Sequence, residues 1–188
     1  MRKLIVRMNM SLDGYIEGPK GSMDWFAGGD EHWRDLFAAL EDADAFLLGR
    51  GMYAGYAEYW TAALTGPTAT DNERAFAQLA QRTKHIVVSR TMESAAYLQT
   101  SIVHDLADVA RLKQEPGKNI VAWGGASLAS ALSAAGLVDE LQLLVNPVVL
   151  GGGKALFKDV AARQRLVLAG TRTFETGVVL LRYQPRPA

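Results

Sequence analysis

Leu4, Val6, Met8 and Met10 alternate with Ile5, Arg7 and Asn9, a period of two that predicts a strand at the start of the chain. The segment DGYIEGPKGSMDW, from Asp13 to Trp25, carries three glycines and a proline and reads as loop. Trp33, Leu36, Phe37 and Leu40 then recur at helical spacing, so a helix is expected from Asp30, which can cap it, to about Asp42. AFLLG, ending at Gly49, is a short buried strand, RGMYAGYAEYW a second helix and LTGPTAT a break. Thr70 and Glu73 have capping-box spacing for a helix from Asp71 to about Arg82, with Phe76, Leu79 and Ala80 inward. HIVVS and TSIVH read as strands, and DLADVARLKQEPG as a helix stopped by Pro116 and Gly117.

The apolar run NIVAW meets two adjacent glycines, Gly124 and Gly125, and a small-residue helix from Ser127 to Ala135 follows, ended by Gly136. DELQLLVNPVVL returns to strand, with Pro147 marking a bulge, bend or edge. RLVLAGTRTFETGVVLLRYQ reads as two strands around a Glu175-Thr176-Gly177 turn. Strands alternating with helices, closed by a hairpin, imply one α/β domain with a largely parallel sheet and an antiparallel edge.

Bulk properties narrow the function. A length of 188 residues suits one domain with a substantial core, and 49% hydrophobic with 21% charged residues is ordinary for a soluble protein. Lys plus Arg equals Asp plus Glu at 20 each, so the basic excess of a nucleic-acid or anionic-membrane binder is missing. With no cysteine there is no disulfide, thiolate metal site or cysteine nucleophile, which suits a reducing compartment. Arg7 and Asn9 interrupt the N-terminal apolar run, so it is no signal peptide, and nothing approaches the ~20 apolar residues of a membrane span. A cytoplasmic protein is expected.

Several familiar motifs fail. VLGGGKAL has Val148 and Ala155 where a Walker loop needs Gly and Ser or Thr, and neither G-x-G-x-x-G nor G-x-S-x-G occurs. His32, His85 and His104 lack ligand spacing, so no metal site is expected. What remains is a set of strand ends. Strand, Gly124-Gly125, then a helix through Ala126 and Ser127 is a sensible anion site, since helix N-terminal amides carry partial positive charge. A tight strand-to-helix turn would need the same glycines. Gly49-Arg50 ends one buried strand and Ser89-Arg90-Thr91 another, and ligands of open α/β sheets collect at carboxyl strand ends. Two arginines beside hydroxyls and a glycine pair make a plausible polyphosphate cradle.

In this order, MSLDGYI, LLGR with Tyr53 after it, IVVSRT, VAWGGASL, GLVDELQLLVNPVVLGGG and TGVVLLRYQ resemble the dihydrofolate reductase-like superfamily. The nearest resemblance is to the reductase domain at the C-terminus of the riboflavin-biosynthesis deaminase–reductase, RibD. The resemblance implies a three-layer αβα fold and NADPH as cofactor. It places Arg50, Ser89 and Arg90 around the adenosine 2′-phosphate and ribose, and Gly124, Gly125, Ala126 and Ser127 on the pyrophosphate, often through a cis peptide between the glycines. It also implies hydride transfer to a C=N or C=O bond of a pterin- or pyrimidine-like substrate, and pairing into a homodimer through sheet edges and C-terminal strands.

Two departures stand out. Met52, Tyr53 and Ala54 replace the usual Thr and Tyr-Glu, and Trp123 replaces a Glu common before the glycine pair in riboflavin-pathway reductases. The latter argues against 5-amino-6-(5-phosphoribosylamino)uracil as substrate and for a flat heteroaromatic or apolar ligand, though a Trp123 packed in the core would fit the sequence equally. At the reacting end, Met23, Trp25 and Asp30 match a dihydrofolate reductase spacing that leads to a buried acid beside the pterin. Asp30 could instead simply cap its helix, and Asp24 is a second candidate. Asp13, in an Asp-Gly turn, and the loop from Leu150 and Gly151 to Lys154 are expected to border the substrate. A nucleotide-binding protein of this fold without turnover is the alternative.

Overall fold

The computed structural model describes every residue except 96, 158–161 and 187–188. Eight strands form one sheet in the order β5-β4-β3-β6-β1-β7-β10-β9. These are β1 (Leu4–Ser11), β3 (Ala43–Gly49), β4 (Lys84–Val88), β5 (Gln99–Val103), β6 (Asn119–Gly124), β7 (Glu140–Asn146), β9 (Leu166–Thr173) and β10 (Val179–Pro185). The pairings from β5 through β7 are all parallel, and β10 joins β7 and β9 antiparallel. The mostly parallel sheet with a C-terminal hairpin is therefore as expected.

Helices cover both faces, because strands in a parallel sheet must bury both sides. Phe46, Leu48, Val87 and Val121 pack against α1 (Asp30–Leu40), α2 (Arg50–Ala63) and α3 (Asp71–Arg82). The alternate residues Leu4, Val6, Leu47, Ile86, Ile120 and Ala122 pack against α4 (Leu106–Gln114) and α5 (Ala126–Ala134). This is the two-residue alternation of the sequence expressed in space.

Helix ends follow local chemistry. Thr70 and Glu73 exchange both bonds of a capping box, and Asp105 and Asp108 do the same at the start of α4. Asp30 departs from expectation: it is the first helical residue of α1, and Gly29 is the N-cap, with no side-chain cap bond. The strand expected through Leu150 ends at Asn146, because Pro147 has no N–H to continue the ladder. A two-stranded ribbon, β2 (Tyr15–Glu17) with β8 (Lys154–Ala155), lies in segments read as loop. No described helix is long and apolar enough to cross a membrane.

Candidate functional site

Every parallel strand runs the same way, so Ser11, Gly49, Val88, Gly124 and Asn146 lie along one edge of the sheet. The strand ends, loops and first helical turns at that edge contain the residues singled out by sequence. Gly49 and Gly125 are the N-caps of α2 and α5, and they touch: a Cβ on Gly49 would lie 3.4 Å from the Gly125 nitrogen. Two helix N-termini therefore meet at one point. The first α5 bond runs from Ala129 N–H to the Gly125 carbonyl at 3.0 Å, so the amides of Ala126, Ser127 and Leu128 have no acceptor within the helix.

The two glycines are not equivalent. Gly124 has φ +118, and a Cβ there would fall 2.9 Å from Met8 Cε. Gly125 has an ordinary extended backbone, and a Cβ there would meet nothing within 4 Å. The peptide between them is cis. The space over Gly125 is open, as close approach of a phosphate to the main chain requires.

Arg50 opens α2 and reaches the end of β4, donating from Nη1 to Thr91 Oγ1 at 3.2 Å. Arg50, Arg90 and Thr91 are exposed. Among the described residues, neither arginine pairs with a carboxylate. Ser89 is buried and shapes the turn, its Oγ accepting from Met92 N–H at 3.0 Å and Thr91 N–H at 3.3 Å, while its carbonyl bonds His104 Nδ1 at 3.0 Å. The open space over Gly125, the helix N-terminal amides and two guanidiniums without a carboxylate partner among the described residues fit the phosphates of a dinucleotide such as NADPH.

The other half of the edge, around β1 and β7, differs. The Asp13 carboxylate accepts from Leu150 N–H at 3.1 Å and Gly151 N–H at 2.8 Å, tying the loop after β1 to the loop after β7. The Ser11 hydroxyl, with these amides, holds Asp13 below the usual carboxylate range. Lys154 pairs with Glu17 at 2.9 Å. Met23 and Asp24 are exposed, and half-buried Trp25 donates from Nε1 to the Ser22 carbonyl at 3.0 Å. Asn146, fully buried, pins this loop by accepting from Ala27 N–H at 2.9 Å.

Asp30 is not a buried acid. It is exposed and accepts from Asn72 Nδ2 at 2.9 Å, on the side of α1 that faces α3. A first-turn residue must share the helix face of Leu36 and Leu40 to meet the sheet, and His32 does so instead. Trp123 packs edge-on to Phe46 and Phe76, with ring centroids at 5.2 and 5.9 Å, and its indole N–H is buried without an acceptor. Beneath α1, Arg7 bridges Asp35 at 2.6 Å and Gln142 at 2.7 Å, and Arg172 joins Asp35 and Glu31. Sequence reasoning missed this polar chain; its signal was Arg7, a lone charge in an apolar strand.

The model of the RibD C-terminal domain matches residues 2–180. The chain belongs to that family. YyaP of Bacillus subtilis, an uncharacterized protein, is 37% identical over 187 residues, covering 97% of this chain and 94% of its own. A deaminase/5-amino-6-(5-phosphoribosylamino)uracil reductase from Thermotoga maritima superposes with a TM-score of 0.69 at 15% identity, covering 98% of this chain and 57% of its own. Dihydrofolate reductase from Enterococcus faecalis, in complex with NADP(H), gives 0.64 at 12% identity, covering 98% and 97%. The RibD-domain chain thus has the dihydrofolate reductase-like fold.

Proposed function

We propose that this RibD-domain protein is an NADPH-dependent oxidoreductase that transfers hydride to a C=N or C=O bond of a pterin- or pyrimidine-like heterocycle. The observation that carries the reading is the meeting of two glycine-capped helix N-termini, with Arg50 and Arg90 on the adjoining strand ends and, among the described residues, no carboxylate paired with either. Gly49 and the amides of Gly124 through Ser127 would hold the pyrophosphate, while Arg50, Ser89, Arg90 and Thr91 would surround the 2′-phosphate and its ribose. Bound NADPH supplies the hydride. Asp13, Leu150 and Gly151 would form one wall of the substrate half, with Met23 and Trp25 above and Trp123 at its floor. Asp24 or Asp30 would relay the proton, Asp30 after turning inward from Asn72.

That outward placement, with Met52 in place of a hydroxyl residue, favours a second reading, nucleotide binding without turnover. NADPH fluorescence titration separates the possibilities. NADPH is expected to bind at least about tenfold more tightly than NADH, or 1.4 kcal/mol, with Arg50→Ala closing the gap. Equal affinities would contradict the 2′-phosphate assignment. NADPH oxidation in the presence of dihydrofolate or a reducible pyrimidine then tells turnover from binding alone.

The reading extends to a cytoplasmic homodimer. β9 is an edge strand with Leu166, Val167 and Leu168 exposed, an apolar edge that a second copy would cover.

A further inference from the structure

We propose that His32, rather than either candidate aspartate, is the side chain of α1 that meets the ring edge of the substrate, a nitrogen heterocycle presenting N–H and C=O groups. This rests on the reductase reading, since it names a contact in the substrate half of that site. His32 is 6% exposed, yet its Nδ1 is buried with no hydrogen-bond partner among the described residues. Buried polar atoms in folded proteins are overwhelmingly partnered, so an orphan beneath a single loop side chain calls for a partner from outside the chain.

The surroundings suit a ring. Phe26 stands edge-on to the imidazole at 5.1 Å and 78°, and Phe174 lies at 5.9 Å. Phe26 belongs to the loop between Ser22 and Gly29 and is itself 37% exposed, so one loop side chain roofs the histidine. Ala27, next to it, is held by Asn146 at the carboxyl end of β7, which fixes this roof at the edge where the other loops gather. Trp123 Nε1, on the same face of the sheet, is likewise buried with no partner among the described residues. His32 lies toward β7 and Trp123 on β6, so the two orphan groups flank β1.

Burial, then the positive charge of Arg7, lowers the His32 pKa to about 4, with Asp35 opposing. The ring is therefore neutral near pH 7 and offers one donor and one acceptor. At Nδ1 it offers either a donor or an acceptor to a single N–H or C=O group of a pyrimidine or pterin, and no positive charge to attract an anionic group. A histidine kept for packing alone would be replaced by phenylalanine with no loss beyond fit.

The test uses the full chain loaded with NADP⁺ and labelled with ¹⁵N-histidine, in which only His32, His85 and His104 report. The probe is uracil, which presents ring N–H and C=O groups, at millimolar concentration. His32 ring nitrogens are expected to shift while those of His85 and His104 stay in place. His32→Phe should bind the probe at least tenfold more weakly and melt no lower than the parent, because it removes an unpaired polar atom from the same space. His32→Asn, which returns a polar group near Nδ1, should recover part of the affinity. His32 resonances that the probe leaves unmoved, undiminished affinity in His32→Phe, or a lower melting temperature for that variant would each overturn the proposal. NADPH affinity measured on the same samples keeps the two claims apart: its absence brings down the reductase reading, and its presence beside an unmoved His32 brings down this inference alone.

Discussion

At the residue scale the glycine pair separates folding from binding. Gly124→Ala forces a side chain into a positive-φ position already filled by Met8, so the variant should be destabilised. Gly125→Ala meets no protein atom, so its melting temperature should stay within a few degrees of the parent while NADPH affinity falls at least tenfold. Equal loss of stability in both variants, read by thermal melts, would contradict this division. The histidines set a pH window. Burial lowers both His32 and His85 from an ordinary 6.5 to about 4, with the Thr83 carbonyl opposing at His85. The unfolded chain binds protons first, so this contribution is complete above about pH 6.5 and drains as pH falls toward 4. Melting temperature should therefore drop across that window, and a flat profile would refute it. The placement of the glycines and arginines at strand ends was legible because it follows from local chemistry. The role of His32 was not, since a single histidine within a helix gives no sign of which neighbours it lacks.

At the element scale, legibility tracked length and periodicity. The alternation of β1, the apolar runs ending in Gly49 and Gly124, and the Thr70–Glu73 box all became the elements they suggested. The β2–β8 ribbon was invisible, because strands of three and two residues carry no period. Asp30 was misjudged as a cap and as a buried acid, since Trp33, Leu36, Phe37 and Leu40 locate the helix but leave its first turn free to point several ways. How α1 docks is instead decided by Arg7, 4% exposed and bonded to Asp35. Removing one partner strands a buried charge, so Asp35→Ala should cost about 3–5 kcal/mol in urea unfolding. A loss below 1 kcal/mol would mean that Gln142 alone satisfies Arg7.

At the scale of the whole molecule, strand direction gathers the site. Segments around residues 13, 50, 90 and 125 are far apart in sequence and share one edge only because all six parallel strands end there. The strand order itself was out of reach of the sequence, where β6 shows no mark of lying between β3 and β1. The central claim is that residues 49–51, 89–92 and 124–128 form one binding surface for a phosphorylated dinucleotide. Hydrogen exchange of the protein with and without NADPH tests it most directly. All three segments should slow together on adding NADPH, and to a smaller degree with NADH. Protection confined to one segment, appearing elsewhere, or missing at saturating NADPH would contradict it.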